Sequence, residues 1–392
     1  MTPPRSDHPP RILHFPTETG GNPHGLAAAQ RTLGARAEVV AIRPPVFDHP
    51  ADRVLTRARS TKPERIAARI AFAASAPWRY DIFHLNFAQG LLPWTLTRGL
   101  EATLLRACSK RTFMTFMGSD IRTSTRADHQ PALLPDDSGD PVYHPDDDRA
   151  KHNAIETAQR VCDKTFALNP DLCARAGAEF LPYTNADPRT LTPRTTPREP
   201  GPLRIAHAPT KRAVKGTPSI LRAIEALGHR AELILIENQS HQHTIEQCAR
   251  ADLLIDQLRI GWYGGLAVEA MCMGIPVIAH INDDDLTHVP RAMAHELPII
   301  RATPTTIQST LTQLIADQDA LPELAATSRS FAERWHDPLP IAHRILQLYR
   351  DPTLPLWPNT DQPLPDPQTH TQHEHHTTPT PTHPPDQTSS FV

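Results

Sequence analysis

The stretch from Ile255 to Ile278 reads IDQLRIGWYGGLAVEAMCMGIPVI, and the rest of the chain is interpreted around it. An apolar strand leads into a glycine-rich turn, where a short helix begins; this helix carries Glu269 and ends at Gly274 and Pro276. The start of such a helix offers backbone N–H groups to phosphate, and a nearby carboxylate suits the paired hydroxyls of a ribose. The stretch therefore predicts a nucleotide-sugar site.

The composition of the chain limits the class of protein. A length of 392 residues fits two domains, and a balance of 40 basic against 43 acidic residues gives no reason to expect nucleic acid as a partner. The sequence has no apolar run of about 18 residues, so no transmembrane segment is expected. The first ten residues lack the apolar core of a secretory signal, and the five cysteines are scattered. These features predict free thiols and a cytoplasmic location.

Strands and helices alternate twice along the chain, which predicts an α/β protein with two doubly wound domains. The first domain is expected to span 11–187, and the second is expected to span 203–335. The Pro- and Thr-rich segment 188–202 is interpreted as a linker. An amphipathic helix at 336–350 is expected to pack back on the N-terminal domain. Residues 351–392 are rich in Pro, Thr and His, and we expect them to be disordered.

Two glycines, Gly20 and Gly21, follow the first predicted strand. They do not form a G-x-G-x-x-G fingerprint, so the sequence does not support a nicotinamide cofactor. Gly21 is a candidate for close approach of the backbone to a donor ligand, and a tight turn is the alternative. The basic amphipathic pattern at 52–73 fits either an ordinary surface helix or peripheral contact with an anionic membrane, and the first is more common.

Two clusters of residue types that can bind metal ions are interpreted as not forming metal sites. The acidic run from Asp146 to Asp148 follows no strand, so it is interpreted as a solvated loop. The histidines of the C-terminal tail lack a folded shell to fix them and are interpreted as incidental: His370, His373, His375 and His376. We therefore expect neither a metal nor a cofactor.

The segments HAPTKRAVKGT (207–217) and DQLRIGWYGGLAVEAMCMGIPVI (256–278) resemble the retaining family 4 glycosyltransferases, in particular a bacterial branch with a Trp-Tyr-Gly turn. GSDIR (118–122) and GGNP (20–23) are similar to that branch as well, and the resemblance covers residues 11–350. It implies the GT-B architecture, in which two Rossmann-like domains face each other across a cleft. It also implies metal-independent transfer of a sugar, with retention, from a nucleoside-diphosphate sugar to an acceptor.

The resemblance implies roles for individual residues. Arg212 and Lys215 match the catalytic basic pair that holds the diphosphate, and two cations there would neutralise the charge that develops on the leaving group. Glu269 matches the carboxylate that takes the ribose hydroxyls. Three residues would present backbone N–H groups to the phosphates: Gly264, Gly265 and Leu266. The alternatives are a solvated turn for the basic pair and a carboxylate satisfied near the helix dipole for Glu269.

The sequence departs from the family pattern at two positions. The family has a glutamate eight residues before the one matched by Glu269, where this chain has Gly261, and it often has a histidine where this chain has Met117. Gly118 and Asp120 are candidates for the acceptor or sugar side of the site. His84, at another strand end, is a further candidate, and a packed core histidine is an equal alternative.

These departures leave three hypotheses for the function. The leading one is a retaining glycosyltransferase that acts on an acceptor of unspecified class. The second is a nucleotide-sugar epimerase, which would share the fold and the nucleotide site. The third is a non-catalytic GT-B protein that binds a nucleotide sugar, which the departures at Gly261 and Met117 motivate.

Overall fold

The computed structural model describes residues 9–126, 131–135, 142–193 and 201–367, and the following account concerns these residues. They form two parallel sheets, each flanked by helices. The apolar runs that were expected to form strands are buried on both faces, as strands of parallel sheets are.

The N-terminal sheet has seven parallel strands: β1 (Arg11–Phe15), β2 (Arg36–Ala41), β3 (Arg53–Val54), β4 (Ile82–Asn86), β5 (Arg111–Phe116), β6 (Lys164–Ala167) and β7 (Glu179–Phe180). Their order across the sheet is β3-β2-β1-β4-β5-β6-β7. The helices of this part are α1 (Asn22–Thr32), α2 (Lys62–Arg79), α3 (Trp94–Thr97), α4 (Leu100–Ala107), α5 (Pro145–Val161) and α6 (Pro170–Ala176).

The C-terminal sheet has five parallel strands: β8 (Leu203–His207), β9 (Ala231–Leu235), β10 (Leu253–Ile255), β11 (Val277–Ala279) and β12 (Ile300–Arg301). Their order is β12-β11-β10-β8-β9. The helices are α7 (Arg212–Lys215), α8 (Thr217–Leu227), α9 (His241–Cys248), α10 (Gly265–Cys272), α11 (Arg291–Glu296), α12 (Ile307–Ala316), α13 (Leu321–Trp335) and α14 (Pro338–Arg350). Three short 3-10 turns lie at Gly228–Arg230, Asp283–His288 and Gln318–Ala320.

Each sheet has one point at which the strand order reverses. In the first sheet β2 and β4 lie on opposite sides of β1, and in the second β9 and β10 lie on opposite sides of β8. The helices that follow these strands leave toward opposite faces, so a crevice opens at the carboxyl ends of the strands. Each domain therefore has one edge of the kind at which such sheets bind ligands.

Contacts between distant parts of the chain join the domains, including an ion pair and a buried hydrogen-bond relay. Arg126 forms an ion pair with Asp285 at 2.6 Å. His336, which has no exposed surface, donates a hydrogen bond to the carbonyl of Tyr183 at 3.0 Å and accepts one from the Tyr263 hydroxyl at 2.8 Å. Burial lowers the pKa of His336 to about 4, which keeps the ring neutral and able to accept.

Helix α14 returns to the N-terminal domain and packs against α1. The hydroxyl of Tyr349, near its end, accepts a hydrogen bond from Gln30 Nε2 at 3.2 Å and also bonds His84 Nδ1. The other ring nitrogen of His84 bonds the Thr115 hydroxyl at 2.6 Å. This chain of buried polar groups fixes the end of α14 against β4 and β5.

The expectation of disorder from residue 351 is wrong for residues 351–367. Leu356 has no exposed surface, and its N–H donates to Glu179, while the indole N–H of Trp357 donates to the Phe180 carbonyl at 2.9 Å. A few apolar residues suffice here because the segment lies on β7, an edge strand whose carboxyl and carbonyl groups accept these bonds. Residues 368–392, with the tail histidines, lie outside the described residues.

Two other expectations change in detail. The pattern at 52–73 is not one helix, because 53–54 form an edge strand and α2 begins only at Lys62. Thr61 starts that helix through a capping box with Glu64. The acidic run 146–148 is the first turn of α5 rather than a loop, where negative side chains stabilise the helix dipole. Of the expected linker, residues 194–200 lie outside the described residues.

Candidate functional site

A cleft of about 510 Å³ lies where the carboxyl ends of the two sheets face each other. Loops from both domains line it. Thr19 and Val46 follow β1 and β2, while Ala208 and Ile236 follow β8 and β9. Four candidate residues of the second domain also line it: Lys215, Gly265, Leu266 and Glu269. The cleft is therefore a site that neither domain forms alone.

Lys215 lines the cleft and forms a charged pair with Asp256, which is buried behind it. The Lys215 ammonium bonds one Asp256 oxygen, and the other oxygen accepts the Gly264 N–H at 2.6 Å. The Gly264 N–H is thus already used within the protein, so only Gly265 and Leu266 of the three expected backbone donors line the cleft. A Cβ at Gly264 would lie 3.6 Å from Lys215 Nζ, so the ammonium sits directly beside the start of α10.

Glu269 in the middle of α10 is 3% exposed and reaches the cleft. Its Oε1 accepts a hydrogen bond from His241 Nε2 at 2.7 Å, and this bond raises the pKa of His241. The N–H of His241 donates to the Phe47 carbonyl at 3.2 Å, and its ring centroid lies 4.3 Å from that of His49. A carboxylate of the C-terminal domain is thereby connected through His241 to a loop of the N-terminal domain.

No motif in the sequence singled out His241 and His49, the histidines of this contact. His241 follows Ser240 at the start of α9, and His49 lies in a Pro-rich loop after β2. Burial, together with repulsion by His241 and His24, lowers the pKa of His49 to about 4. At neutral pH the His49 ring therefore stays uncharged beside His241. The position of His241 in the first turn of the helix after β9 was the available signal in the sequence. Its partners, Glu269 and His49, could not be inferred from the spacing of residues.

Arg212 lies outside the cleft. Its guanidinium forms two hydrogen bonds with the Glu237 carboxylate, at 2.8 and 2.5 Å, and its side chain is 53% exposed. The structure therefore does not bring Arg212 together with Lys215, although both lie in the single turn of α7. Glu237 follows β9 and is close enough to hold the arginine at the rim.

Gly261 has no room for a side chain. A Cβ there would lie 2.5 Å from Asn282 Cβ, and the Gly261 carbonyl accepts the Asn282 N–H at 3.0 Å. The next two residues, Trp262 and Tyr263, have no exposed surface and stack on each other with their centroids 4.5 Å apart. The turn is thus a packing element, and a side chain at this position would collide with Asn282.

The acceptor-side candidates are parts of the protein framework. Both ring nitrogens of His84 are bonded to Tyr349 and Thr115, and burial holds its pKa well below its ordinary value. His84 is therefore a core histidine and does not line the cleft. Asp120 accepts the N–H groups of Met117 and Gly118, at 3.1 and 2.6 Å, and so shapes the loop after β5. Of this loop, Met117 lines the cleft.

Gly21 brings two protein segments together. It has φ 77°, and a Cβ there would lie 3.1 Å from Asn185 Cβ and 3.2 Å from His49 Nδ1. Its N–H donates to Glu18 Oε1 at 2.8 Å, and the other oxygen of Glu18 accepts the His24 N–H at 2.9 Å. Burial raises the pKa of Glu18 to about 7. The neighbours Gly20 and Asn22, rather than Gly21, line the cleft.

Three further features of the described residues concern metal sites, membrane-spanning helices and disulfide bonds. Within the ranges that the structure covers, no three His, Cys, Asp or Glu side chains are grouped so as to hold a metal ion. No helix in those ranges combines the length and apolarity needed to cross a membrane. The five cysteines all lie in the described ranges and are free thiols, with only Cys108 exposed.

Comparisons with known proteins identify the fold. No protein-family model matches the chain, and no curated protein does. The structure is similar to a sucrose-phosphate synthase from Thermosynechococcus elongatus, with a TM-score of 0.58 and 15% identity over 88% of this chain and 98% of that one. It is also similar to HepE of Anabaena, solved in complex with UDP-glucose, with a TM-score of 0.57 and 14% identity over 86% and 98% of the two chains. The chain has the GT-B fold of such glycosyltransferases, with two parallel α/β sheets facing across a cleft.

Proposed function

We propose that the protein transfers a sugar from a nucleoside-diphosphate sugar to an acceptor. The observation that carries this proposal is the placement of Lys215 and Glu269 on one cleft, at the carboxyl ends of both sheets. A cation beside a helix start and a buried carboxylate match the two charged features of a nucleotide, its diphosphate and its ribose. The solved structure of HepE contains UDP-glucose, which supports a ligand of this class.

The diphosphate would lie against Lys215 and the first turn of α10, where Gly265 and Leu266 line the cleft. Arg212 would leave Glu237 and add a second cation, a movement that its exposure allows at little cost because solvent screens an exposed ion pair. Fixed positive charge at this place stabilises the diphosphate as it departs. Glu269 would accept hydrogen bonds from the ribose hydroxyls.

The chemistry would proceed with retention and without a metal. The bond between the anomeric carbon and the phosphate oxygen breaks, and a bond from the acceptor oxygen forms on the same face of the sugar. The proton of the acceptor hydroxyl passes to the departing phosphate. No protein nucleophile is required, and the cationic groups take the place of a metal in balancing the phosphate charge.

Ligand binding and product analysis test this function. Thermal unfolding is measured with a panel of nucleoside diphosphates and their sugars, because a ligand that binds only the folded protein raises its stability. A stabilising sugar nucleotide is then incubated with candidate acceptors, and NMR determines the anomeric configuration of the product. Failure of every nucleotide sugar to stabilise the protein would contradict the proposal, and an inverted product would contradict retention.

The variant Arg212→Ala tests whether Arg212 takes part in sugar transfer in addition to its contact with Glu237. We expect transfer to be lost while the unfolding temperature stays close to that of the native protein, because the side chain is half exposed. Arg230→Ala is the matched control, since Arg230 is exposed and lies on a turn away from the cleft. Equal turnover in the two variants would remove Arg212 from the proposed site.

The tight packing of Gly261 favours one other function, a GT-B protein that binds a nucleotide sugar without transferring it. The family's sugar-side carboxylate is missing, and Asn282 fills the space it would need. Calorimetric binding of a nucleotide sugar without transfer to any acceptor would favour this function. Incubation without an acceptor also tests epimerisation, since an epimer would be visible by NMR.

A further inference from the structure

A second cavity, of about 570 Å³, adjoins the cleft on the N-terminal domain. We call it the basic groove. It lies at the carboxyl ends of β1, β2 and β4, where Pro16, Ile42 and Phe87 contribute to its lining. This is the point at which the strand order of the first sheet reverses, the place where such sheets bind ligands. Thr19 and Val46 line both the groove and the cleft, so the two spaces share a wall.

Three cationic side chains of the groove are available to a ligand: Arg43, Lys62 and Arg65. Arg43 and Lys62 are exposed, and neither has an acidic partner among the residues that the structure describes. Arg65 makes one hydrogen bond through Nη1, to the Ser60 carbonyl at 3.0 Å. The groove therefore carries a local excess of positive charge in a protein whose formal net charge is −3.

Two other charged residues of the groove are committed to the framework. Arg69, 8% exposed, donates to the carbonyls of Leu91 and Gly90. Glu18, the acidic residue in the lining, directs both oxygens to the backbone N–H groups of Gly21 and His24. Glu18 therefore directs its hydrogen bonds to the backbone and not to the three available cations.

The position of the cations on α2 explains why they face one space. Lys62, Arg65 and Arg69 are separated by three and four residues, so they share one side of the helix with Ile66, which also lines the groove. Like charges that share a concave surface repel one another, and an anion relieves that repulsion and gains from all of them. Ile42, Ile66 and Phe87 add apolar surface to the same wall.

We propose that the basic groove binds an acceptor that carries an anionic group, a phosphate or a carboxylate. The anion contacts Arg43, Lys62 and Arg65, the remainder of the acceptor packs on the apolar wall, and its hydroxyl reaches the cleft beside Thr19. This inference rests on the proposed function, since it names the substrate class of the same transfer reaction. The anion can belong to a soluble molecule or to a lipid headgroup, because the groove recognises the chemistry that both share.

The experiment compares the full chain with two double variants. Arg43→Ala/Lys62→Ala removes two cations of the groove. The control, Arg57→Ala/Arg59→Ala, removes two exposed arginines that precede α2 and do not line the groove. All four side chains are exposed, so both variants are expected to fold. Calorimetry measures binding of glucose 6-phosphate and of glucose, and sedimentation measures binding to phosphatidylcholine vesicles with and without phosphatidylglycerol.

We expect the groove variant to lose at least tenfold in affinity for glucose 6-phosphate or for the anionic vesicles, while the control variant keeps it. A loss of affinity for glucose 6-phosphate identifies a soluble anion as the ligand. A loss of affinity for the anionic vesicles alone identifies a lipid headgroup. Absence of binding in both arms, or equal loss in the two variants, would overturn the inference. Nucleoside-diphosphate binding is measured in parallel: its absence contradicts the proposed function, whereas its presence with an inert groove contradicts only the anionic acceptor.

Discussion

Lys215, which lines the interdomain cleft, forms an ion pair with Asp256 in which the aspartate side chain is 1% exposed and the lysine side chain is 13% exposed. The second carboxylate oxygen holds the Gly264 N–H at 2.6 Å, so the pair also fixes the turn that precedes α10. Asp256 thus positions both the cation and the helix start that the diphosphate is expected to contact. The lysine has a structural role as well as its proposed role in binding.

The two roles of Lys215 can be separated with a double variant. Lys215→Ala leaves the Asp256 carboxylate buried and unpaired, which costs about 3–5 kcal/mol in the free energy of unfolding. Lys215→Ala/Asp256→Asn should recover much of this loss, since asparagine still accepts the Gly264 N–H, but nucleoside-diphosphate binding should stay weak. Chemical denaturation and calorimetry measure the two quantities. Recovery of both would show that Lys215 does not contact the ligand.

The contact between His241 and Glu269 should make stability depend on pH. Because the hydrogen bond raises the pKa of His241 above the unfolded value of 6.5, its contribution is complete below pH 6.5 and is lost as the pH rises through the folded pKa. We expect the difference in unfolding free energy between the native protein and His241→Gln to shrink as the pH rises from 6 to 9. The control is His229→Gln, at an exposed position. A constant difference across that range would contradict the assignment.

Tyr349→Phe tests whether His84 belongs to the framework. Loss of the hydroxyl leaves Gln30 Nε2 and His84 Nδ1 without that partner in a buried space, so the free energy of unfolding should fall by about 1–3 kcal/mol. Nucleotide binding should be unchanged, since none of these three residues lines the cleft. Denaturant unfolding and calorimetry provide the measurements, and a weakened nucleotide affinity with unchanged stability would contradict the structural role of His84.

Gly261→Ala tests the closed packing of the turn. The added Cβ would lie 2.5 Å from Asn282 Cβ, and overpacking of this kind costs about 1–3 kcal/mol. Asn282→Gly makes space, so Gly261→Ala/Asn282→Gly should be less destabilised than the sum of the two single variants. Additive losses, measured by denaturant unfolding, would show that the two residues are not in contact.

The sequence predicted the candidate site unevenly. Lys215, Gly265, Leu266 and Glu269 all line the cleft, because they belong to two short local motifs that follow β8 and β10. Arg212 lies in the same motif, yet its side chain contacts Glu237, which follows a different strand. That contact depends on how two strands pair, and no local pattern contains this information.

What the sequence determined by itself was the alternation of strands and helices, the two parallel sheets and the order of the motifs within them, because these follow from short-range periodicity and from glycine and proline at turns. The tertiary structure decided which side chains are free to meet a ligand. It paired Glu269 with His241, enclosed His84 beneath Tyr349, closed the space at Gly261 and placed residues 351–367 on β7. Each of these depends on segments far apart in the chain, whose contacts exist only once the whole fold buries them together.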